Sequence, residues 1–377
     1  MSRPACPSLR VCAFGGLAAL CFITIFLMYR SDVKYSNLGL VLCPAFLCAE
    51  EAQTKYTHPT NSTEPHNKHS TITSPINAEP DIIVLIWMYP FGSTFPLSCD
   101  DFNIQRCQLT DDRTLYNKSN GVLFHHRNIN GELVAKIPEM PRLPFQKWVW
   151  FNMESPANTH PISEFNGAYN LTCSYRLDSD IPVPYGHLEP LTSKDESFKF
   201  PAKDKLVCWI VSNWNARYKR VQFFNELKKH IDIKTYGNAF GKHINHDDYS
   251  KIISSCKFYL SFENSIYTDY ITEKLFRPMK LGTVPITLGP SRQMYEKHIP
   301  RDSFIHYEDF STPKELAERL LYFDKNQTEY VRFFNWTNTL KVMDSSFGRE
   351  HACRTCEYLQ SHKEIQTVKD LKTWFWG

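Results

Sequence analysis

The chain has no GxGxxG fingerprint, no P-loop and no internal repeat of fixed period, so the glycine-rich phosphate cradles and the repeat architectures drop out. Long basic runs and basic–aromatic alternation are also missing, and the formal net charge is only +3, which argues against nucleic acid as a partner. Any anionic ligand must therefore be held by local charge. Apolar runs are scarce as well, and only residues 11–29 are long enough to span a bilayer. The second apolar stretch, Leu38 to Cys48, has about eleven residues and contains Pro44, so it reads as interfacial. What remains is ordinary globular sequence, 42% apolar and 22% charged over 377 residues, a length that usually divides into two domains.

The spanning run is flanked by Arg3 and Arg10 before it and Arg30 after it. It predicts a signal anchor over 11–30, a cytosolic tail over 1–10 and a translocated body. Sequons at Asn61, Asn117, Asn170, Asn326 and Asn335 all lie beyond the anchor and agree with a secretory compartment. Of twelve cysteines seven lie beyond residue 50, enough for three disulfides with one left over. Cys353-x-x-Cys356 raises zinc or redox chemistry, but zinc would need two further ligands at suitable spacing, and structural disulfides are preferred.

Residues 31–80 read as a flexible stem, rich in Thr, Ser, Asn and Pro from 49 onward. Strand-like runs begin at "DIIVLIWMYPFG" and continue with "GVLFHHR" and "KWVWFNMES", predicting one α/β domain over 81–203. A second series, 204–350, starts at "KLVCWIVSNW" and a helix in which Val221, Phe224 and Leu227 recur. It continues through "IKTYG", a helix near 247–255, "CKFYLSFEN", another helix and "LGTVPITLGP". Such alternation predicts parallel sheets, with ligands beyond the carboxyl ends of the strands in a cleft between two domains.

Two predicted strand ends carry charge. Glu263 and Asn264 close "KFYLSFEN", and Tyr270, Glu273 and Lys274 follow in a loop-to-helix turn. Alone, Thr272-Glu273-Lys274 reads as an exposed helix start with Asp269 as its cap. A helix N-terminus also presents unpaired N–H groups and a positive dipole end to a phosphate, and a lysine adds a full charge. The other strand end, "VSNWNARYKR", supplies Ser212 and Asn213 for a ribose or phosphate and Arg220, whose planar fork suits a pyrophosphate. Alone it reads equally as a basic surface run.

Together these stretches resemble a known family. "SFENSIYTDYITEKLFRPMKLGTVPITLGPSRQMYEKHIPRDSFIHYEDF" resembles the donor-binding signature of the alpha-1,3-fucosyltransferases, glycosyltransferase family 10, and "LVCWIVSNWNARYKRVQFFNEL", "PFQKWVWFNMESP", "DSDIPVPYG" and "DLKTWFWG" are similar to the same family. The resemblance runs from about residue 82 to the C-terminus. It implies a GT-B-type fold with two Rossmann-like domains facing a cleft, a single-pass type II Golgi membrane protein with a lumenal catalytic domain, and GDP-fucose as donor. By position it implies Arg220 and Lys274 on the diphosphate, with Glu263, Glu273, Tyr270, Asn264, Ser212 and Asn213 completing the donor site. Cations placed where the β-phosphate gains charge would stabilise the transition state, so no obligatory metal or other cofactor is expected. Glu154 in "FNMESP" matches the family's base, which single displacement with inversion requires on the opposite face of the sugar; burial near Trp148 and Trp150 would tune it.

For the acceptor the resemblance implies His125, His126, Arg127 and Tyr185, with Arg127 after the His-His pair matching members that prefer type 2 N-acetyllactosamine. The product would be the Lewis x determinant on glycoproteins and glycolipids. The same resemblance pairs Cys99 with Cys353, Cys107 with Cys356 and Cys208 with Cys256, ties the 351–377 tail to the first domain, and leaves Cys173 as the odd thiol. Two departures stand out: Tyr267 where many members have histidine, and Pro278, predicted to kink or end the helix begun at Glu273. Two alternatives stay open: a Golgi carbohydrate-binding protein without transfer activity, and a Mn²⁺-dependent transferase using Asp178 and Asp180 of the D-x-D triplet. Homodimerisation also stays open.

Overall fold

A computed structural model describes residues 82–129, 137–161, 166–192 and 198–377. The predicted tail, anchor and stem, and the sequon at Asn61, lie outside the described residues. Among the described residues no helix is long and apolar enough to cross a membrane.

Six strands form the first sheet: β1 (Ile82–Ile86), β2 (Cys107–Thr110), β3 (Gly121–His125), β4 (Lys147–Asn152), β5 (Leu171–Ser174) and β6 (Ile181–Pro182), in the order β2-β1-β3-β4-β5-β6 with every pair parallel. Strands covered on both faces need continuous apolar sequence, and β3 and β4 are buried at every position. After β7 (Gly186–Pro190), the strands β8 (Lys205–Ile210), β9 (Ile233–Tyr236), β10 (Cys256–Phe262), β11 (Val284–Leu288) and β12 (Ile305–His306) build a second parallel sheet, ordered β12-β11-β10-β8-β9. The fold is therefore α/β with two parallel sheets, each over its own core. The described residues from Ile82 to Gly377 belong to one compact unit.

Three features depart from the sequence-based expectations. β7 pairs antiparallel with β13 (Leu340–Asp344), a contact across about 150 residues that no local pattern encodes. Pro278 sits inside the helix Glu273–Lys280 without ending it. It lies in the second turn, where proline's fixed φ is helical and one hydrogen bond is forgone; the chain turns out of the helix at Gly282, φ 72. Thr272, not Asp269, is the N-cap: its hydroxyl accepts from Lys274 N, whereas Asp269 adopts φ 56 and accepts from Leu177 N at 3.0 Å.

The helix Arg349–Ser361, near the C-terminus, crosses back to pack on β1, β2 and β3, fastened by the disulfides Cys99–Cys353 and Cys107–Cys356; Cys208–Cys256 joins β8 to the start of β10. Cys173 is free and buried. Among the sequons in the described residues, Asn170 is the one that the fold encloses. It is buried, its Nδ2 donates to Gln366 O at 2.7 Å, and its Oδ1 accepts from Trp148 N and Arg142. Asn117 and Asn335 are exposed and Asn326 is half-buried.

Candidate functional site

In the second sheet β8 stands beside β9 on one side and β10 on the other, so successive connections run in opposite directions from the β8–β10 pair. Such a switch point leaves a crevice at the carboxyl ends of those two strands. The residues that emerge there are Val211, Ser212 and Asn213 from β8 and Glu263 and Asn264 from β10. The first sheet has the same reversal between β1 and β3, where His125 and His126 emerge.

Glu263 is 2% exposed and organises the second wall. Its Oε1 accepts from Thr272 N at 2.8 Å and the Thr272 hydroxyl at 3.0 Å, while its Oε2 accepts from that hydroxyl at 3.0 Å and lies 3.2 Å from Lys274 Nζ. Burial raises the Glu263 pKa, with the Lys274 charge opposing the rise. Burial acts against the Lys274 ammonium, but Glu263 and Glu273 outweigh it and its pKa is raised, so this lysine is a cation at neutral pH. It also donates to Thr272 Oγ1 at 2.8 Å and keeps about a quarter of its side chain exposed. A fixed ammonium thus stands on the first turn of a helix whose dipole adds positive potential.

The facing wall comes from the first sheet. Glu154 follows β4 with 30% of its side chain exposed, and Arg127 stands 3.5 Å from its Oε1. Arg127, rather than Trp148 or Trp150, is thus the partner shown for the carboxylate; Trp150 lies in the core against His126 and the C-terminal aromatics. His125 Nδ1 donates to Asn128 Oδ1, which leaves Nε2 as an acceptor, and burial lowers the His125 pKa to about 4. Tyr185 donates its hydroxyl to Met153 O and meets Tyr270 edge-on. The walls touch where Ser265 donates to Ser155 at 2.7 Å.

Between them lies a cavity of about 260 Å³ lined by Glu154, His125, Tyr185, Asn264, Tyr270, Glu273 and Lys274, together with Phe91, Met153 and Phe347. Seven of the expected site residues are thereby brought together from both halves. Arg220 is not in the lining: it is buried at the start of the helix Lys219–Leu227, donates to Asn213 O at 2.6 Å and Phe262 O at 3.4 Å, and keeps Nε without a partner. Ser212 and Asn213 are exposed outside this cavity. His126 contributes nothing to it, since Nδ1 accepts from Trp150 and Nε2 meets His160 O, both at 3.0 Å. Phe91, Met153 and Phe347 escaped the sequence reading, though "YPFG" placed Phe91 in the loop after a strand end.

The D-x-D carboxylates are held internally. Asp178 pairs with Arg176 and accepts from Trp374, while Asp180 accepts from Thr172 and Gln366. Among the described residues no group of three His, Cys, Asp or Glu could hold a metal ion.

A doubly wound sheet with a cation at its switch point, opposed by a second such sheet bearing a carboxylate, is an arrangement that binds ligands in the crevice beyond the strand ends. Residues 79–186 match the model "Fucosyltransferase, N-terminal" and 200–374 match "Glycosyltransferase family 10 (fucosyltransferase) C-term". The chain is 47% identical over 352 residues to the Homo sapiens 4-galactosyl-N-acetylglucosaminide 3-alpha-L-fucosyltransferase 9, covering 90% of this chain and 97% of that protein. It is 42% identical to the Bos taurus 3-galactosyl-N-acetylglucosaminide 4-alpha-L-fucosyltransferase FUT3, covering 81% and 85%. A crystal structure of an alpha1,3-fucosyltransferase with GDP-fucose is similar at TM-score 0.49 and 17% identity, covering 79% of this chain and 96% of that one. The chain belongs to glycosyltransferase family 10, the fucosyltransferases.

Proposed function

We propose that the protein transfers L-fucose from GDP-fucose, with inversion, to the 3-hydroxyl of GlcNAc in N-acetyllactosamine, forming the Lewis x determinant on glycoproteins and glycolipids. The observation that carries this reading is the single cavity with Glu154 on one wall and Lys274 on the other. Glu154 takes the proton of the attacking hydroxyl while Lys274, the Glu273–Lys280 helix start and Arg220 stabilise the charge gathering on the departing diphosphate. His125 Nε2 and Arg127 bind acceptor hydroxyls, and Glu273, Tyr270, Asn264, Ser212 and Asn213 complete the donor site. Glu263 acts behind them by holding Lys274.

The two halves then correspond to a GT-B arrangement, anchored in the Golgi membrane by residues 11–30 with the body in the lumen. No metal is required in this reading. It is supported by the internal partners of Asp178 and Asp180, which disfavour a Mn²⁺ site there.

The purified full chain, incubated in detergent with GDP-fucose and N-acetyllactosamine with and without EDTA, is expected to form the α1,3-fucosylated trisaccharide in both. Glu154→Gln should bind GDP as the native chain does and lose transfer about a hundredfold or more. No product from the native chain would refute the reading, and native rates in Glu154→Gln would remove its base.

A further inference from the structure

We infer that Phe91 and Phe347 form an apolar platform on which the galactose ring of the acceptor lies. Both are large apolar side chains left in solvent, 59% and 42% exposed, and both line the cavity beside Glu154. Their rings are 6.1 Å apart and inclined by only 23°, so they stack on each other as one aromatic unit. An aromatic pair exposed within a binding cavity marks a surface that a ligand covers.

The backbone at Phe91 adds a second observation. It adopts φ 54, ψ 21, a left-handed conformation that costs a phenylalanine about 1–3 kcal/mol and that glycine or asparagine would adopt readily. Asn128 sustains the strain, its Oδ1 accepting from Phe91 N at 3.1 Å and also from His125 Nδ1. Strain maintained in order to project an apolar ring into water points to a role for the ring in binding.

Position identifies the ligand class. Phe91 and Phe347 meet the His125 ring edge-on at 5.0 and 6.1 Å, Phe347 packs 5.7 Å from Phe151, and the Arg127 guanidinium lies 5.7 Å from the Phe91 ring while pairing with Glu154. The platform thus belongs to the wall of Glu154, not that of Lys274, where a neutral acceptor rather than an anionic nucleotide must lie. A β-galactose has one face made of C–H groups, which stacks on aromatic rings while its hydroxyls remain at the rim. It is carried on O4 of the GlcNAc, adjacent to the attacking 3-hydroxyl, so it occupies the space next to Glu154.

This inference rests on the proposed acceptor and is tested by acceptor discrimination. For the full chain and for Phe347→Ala, Phe347→Tyr and Phe91→Asn, kcat/KM is measured with N-acetyllactosamine and with a simple GlcNAc glycoside lacking galactose. The ratio of the two is expected to fall tenfold or more in Phe347→Ala and Phe91→Asn, through the acceptor KM, and to stay near native in Phe347→Tyr. An unchanged ratio, equal losses on both acceptors, or a raised GDP-fucose KM would overturn the platform. If the native chain transfers nothing, the proposed function fails. The platform is then decided by calorimetric binding of N-acetyllactosamine in the presence of GDP: tenfold weakening in Phe347→Ala upholds it and unchanged affinity overturns it.

Discussion

Replacing Glu263 with Gln removes one charge and no volume from beneath the helix start that carries Lys274. The carboxylate is buried and takes hydrogen bonds from Thr272 N at 2.8 Å and Thr272 Oγ1 at 3.0 Å, with Lys274 Nζ at 3.2 Å. An amide offers one acceptor and turns an N–H₂ donor toward another donor. Hydrogen bonds to charged groups contribute about 1.5–3 kcal/mol each. Lys274 is a quarter exposed and keeps Thr272 and Glu273 as partners, so its share is discounted, and the summed loss of stability is about 2–3 kcal/mol. The melting temperature should drop by about 5–10 °C. The net positive charge gained at the site favours a diphosphate while the lost positioning opposes it, so GDP affinity should change less than about threefold and kcat should fall about tenfold. Thermal melts, calorimetry with GDP and initial rates read the three quantities, and Thr272→Ser, which keeps the hydroxyl cap, is the near-native control. Native melting temperature and native kcat in Glu263→Gln would refute the claim that this carboxylate holds the site.

Two further outcomes follow from the same structure. At Gly237, φ 96, an added Cβ would lie 2.3 Å from Val211 O at the strand end leading to Ser212 and Asn213, so Gly237→Ala should destabilise by about 3 kcal/mol or more, whereas Gly167→Ala, at φ 78 with open space around it, should cost about 1 kcal/mol in the same melts. Burial holds His125 and His126 at about 4 and His351 at about 3. The unfolded chain therefore binds more protons than the native one below about pH 6.5, and stability should fall as pH drops from there toward 4, by about 3 kcal/mol per histidine at the bottom of the window. Because both ring nitrogens of His351 lack partners, His351→Leu should gain about 1 kcal/mol at pH 7 and flatten that acid limb; an unaltered or steeper limb would count against burial as its cause.

The strands were legible because a strand buried on both faces demands a mostly apolar run, and "KWVWFN" and "CKFYLSF" satisfy that locally. Glu154 was legible because it follows such a run almost directly, and Lys274 because it opens the helix reached from the next strand end by a loop of about ten residues; parallel sheets bind ligands at carboxyl ends. The burial of Asn170 was not legible because a sequon is a three-residue pattern that carries no information about burial. Thr272 was a cap as plausible as Asp269 in sequence; the choice lay in Leu177, about a hundred residues earlier, which claims the Asp269 carboxylate.

By itself the sequence determined the alternation of elements, the charge types at two strand ends and the cysteine count, since all of these follow from periodicity and composition over short windows. Only the tertiary structure decided that Glu263 lies behind Lys274, that His126 turns inward while His125 lines the cavity, and that Arg127 partners Glu154. It alone set Phe91 and Phe347, some 250 residues apart in the chain, face to face beside that carboxylate. Such contacts depend on which strands lie side by side and on how the C-terminal helix returns to the first sheet, and no local propensity encodes that pairing.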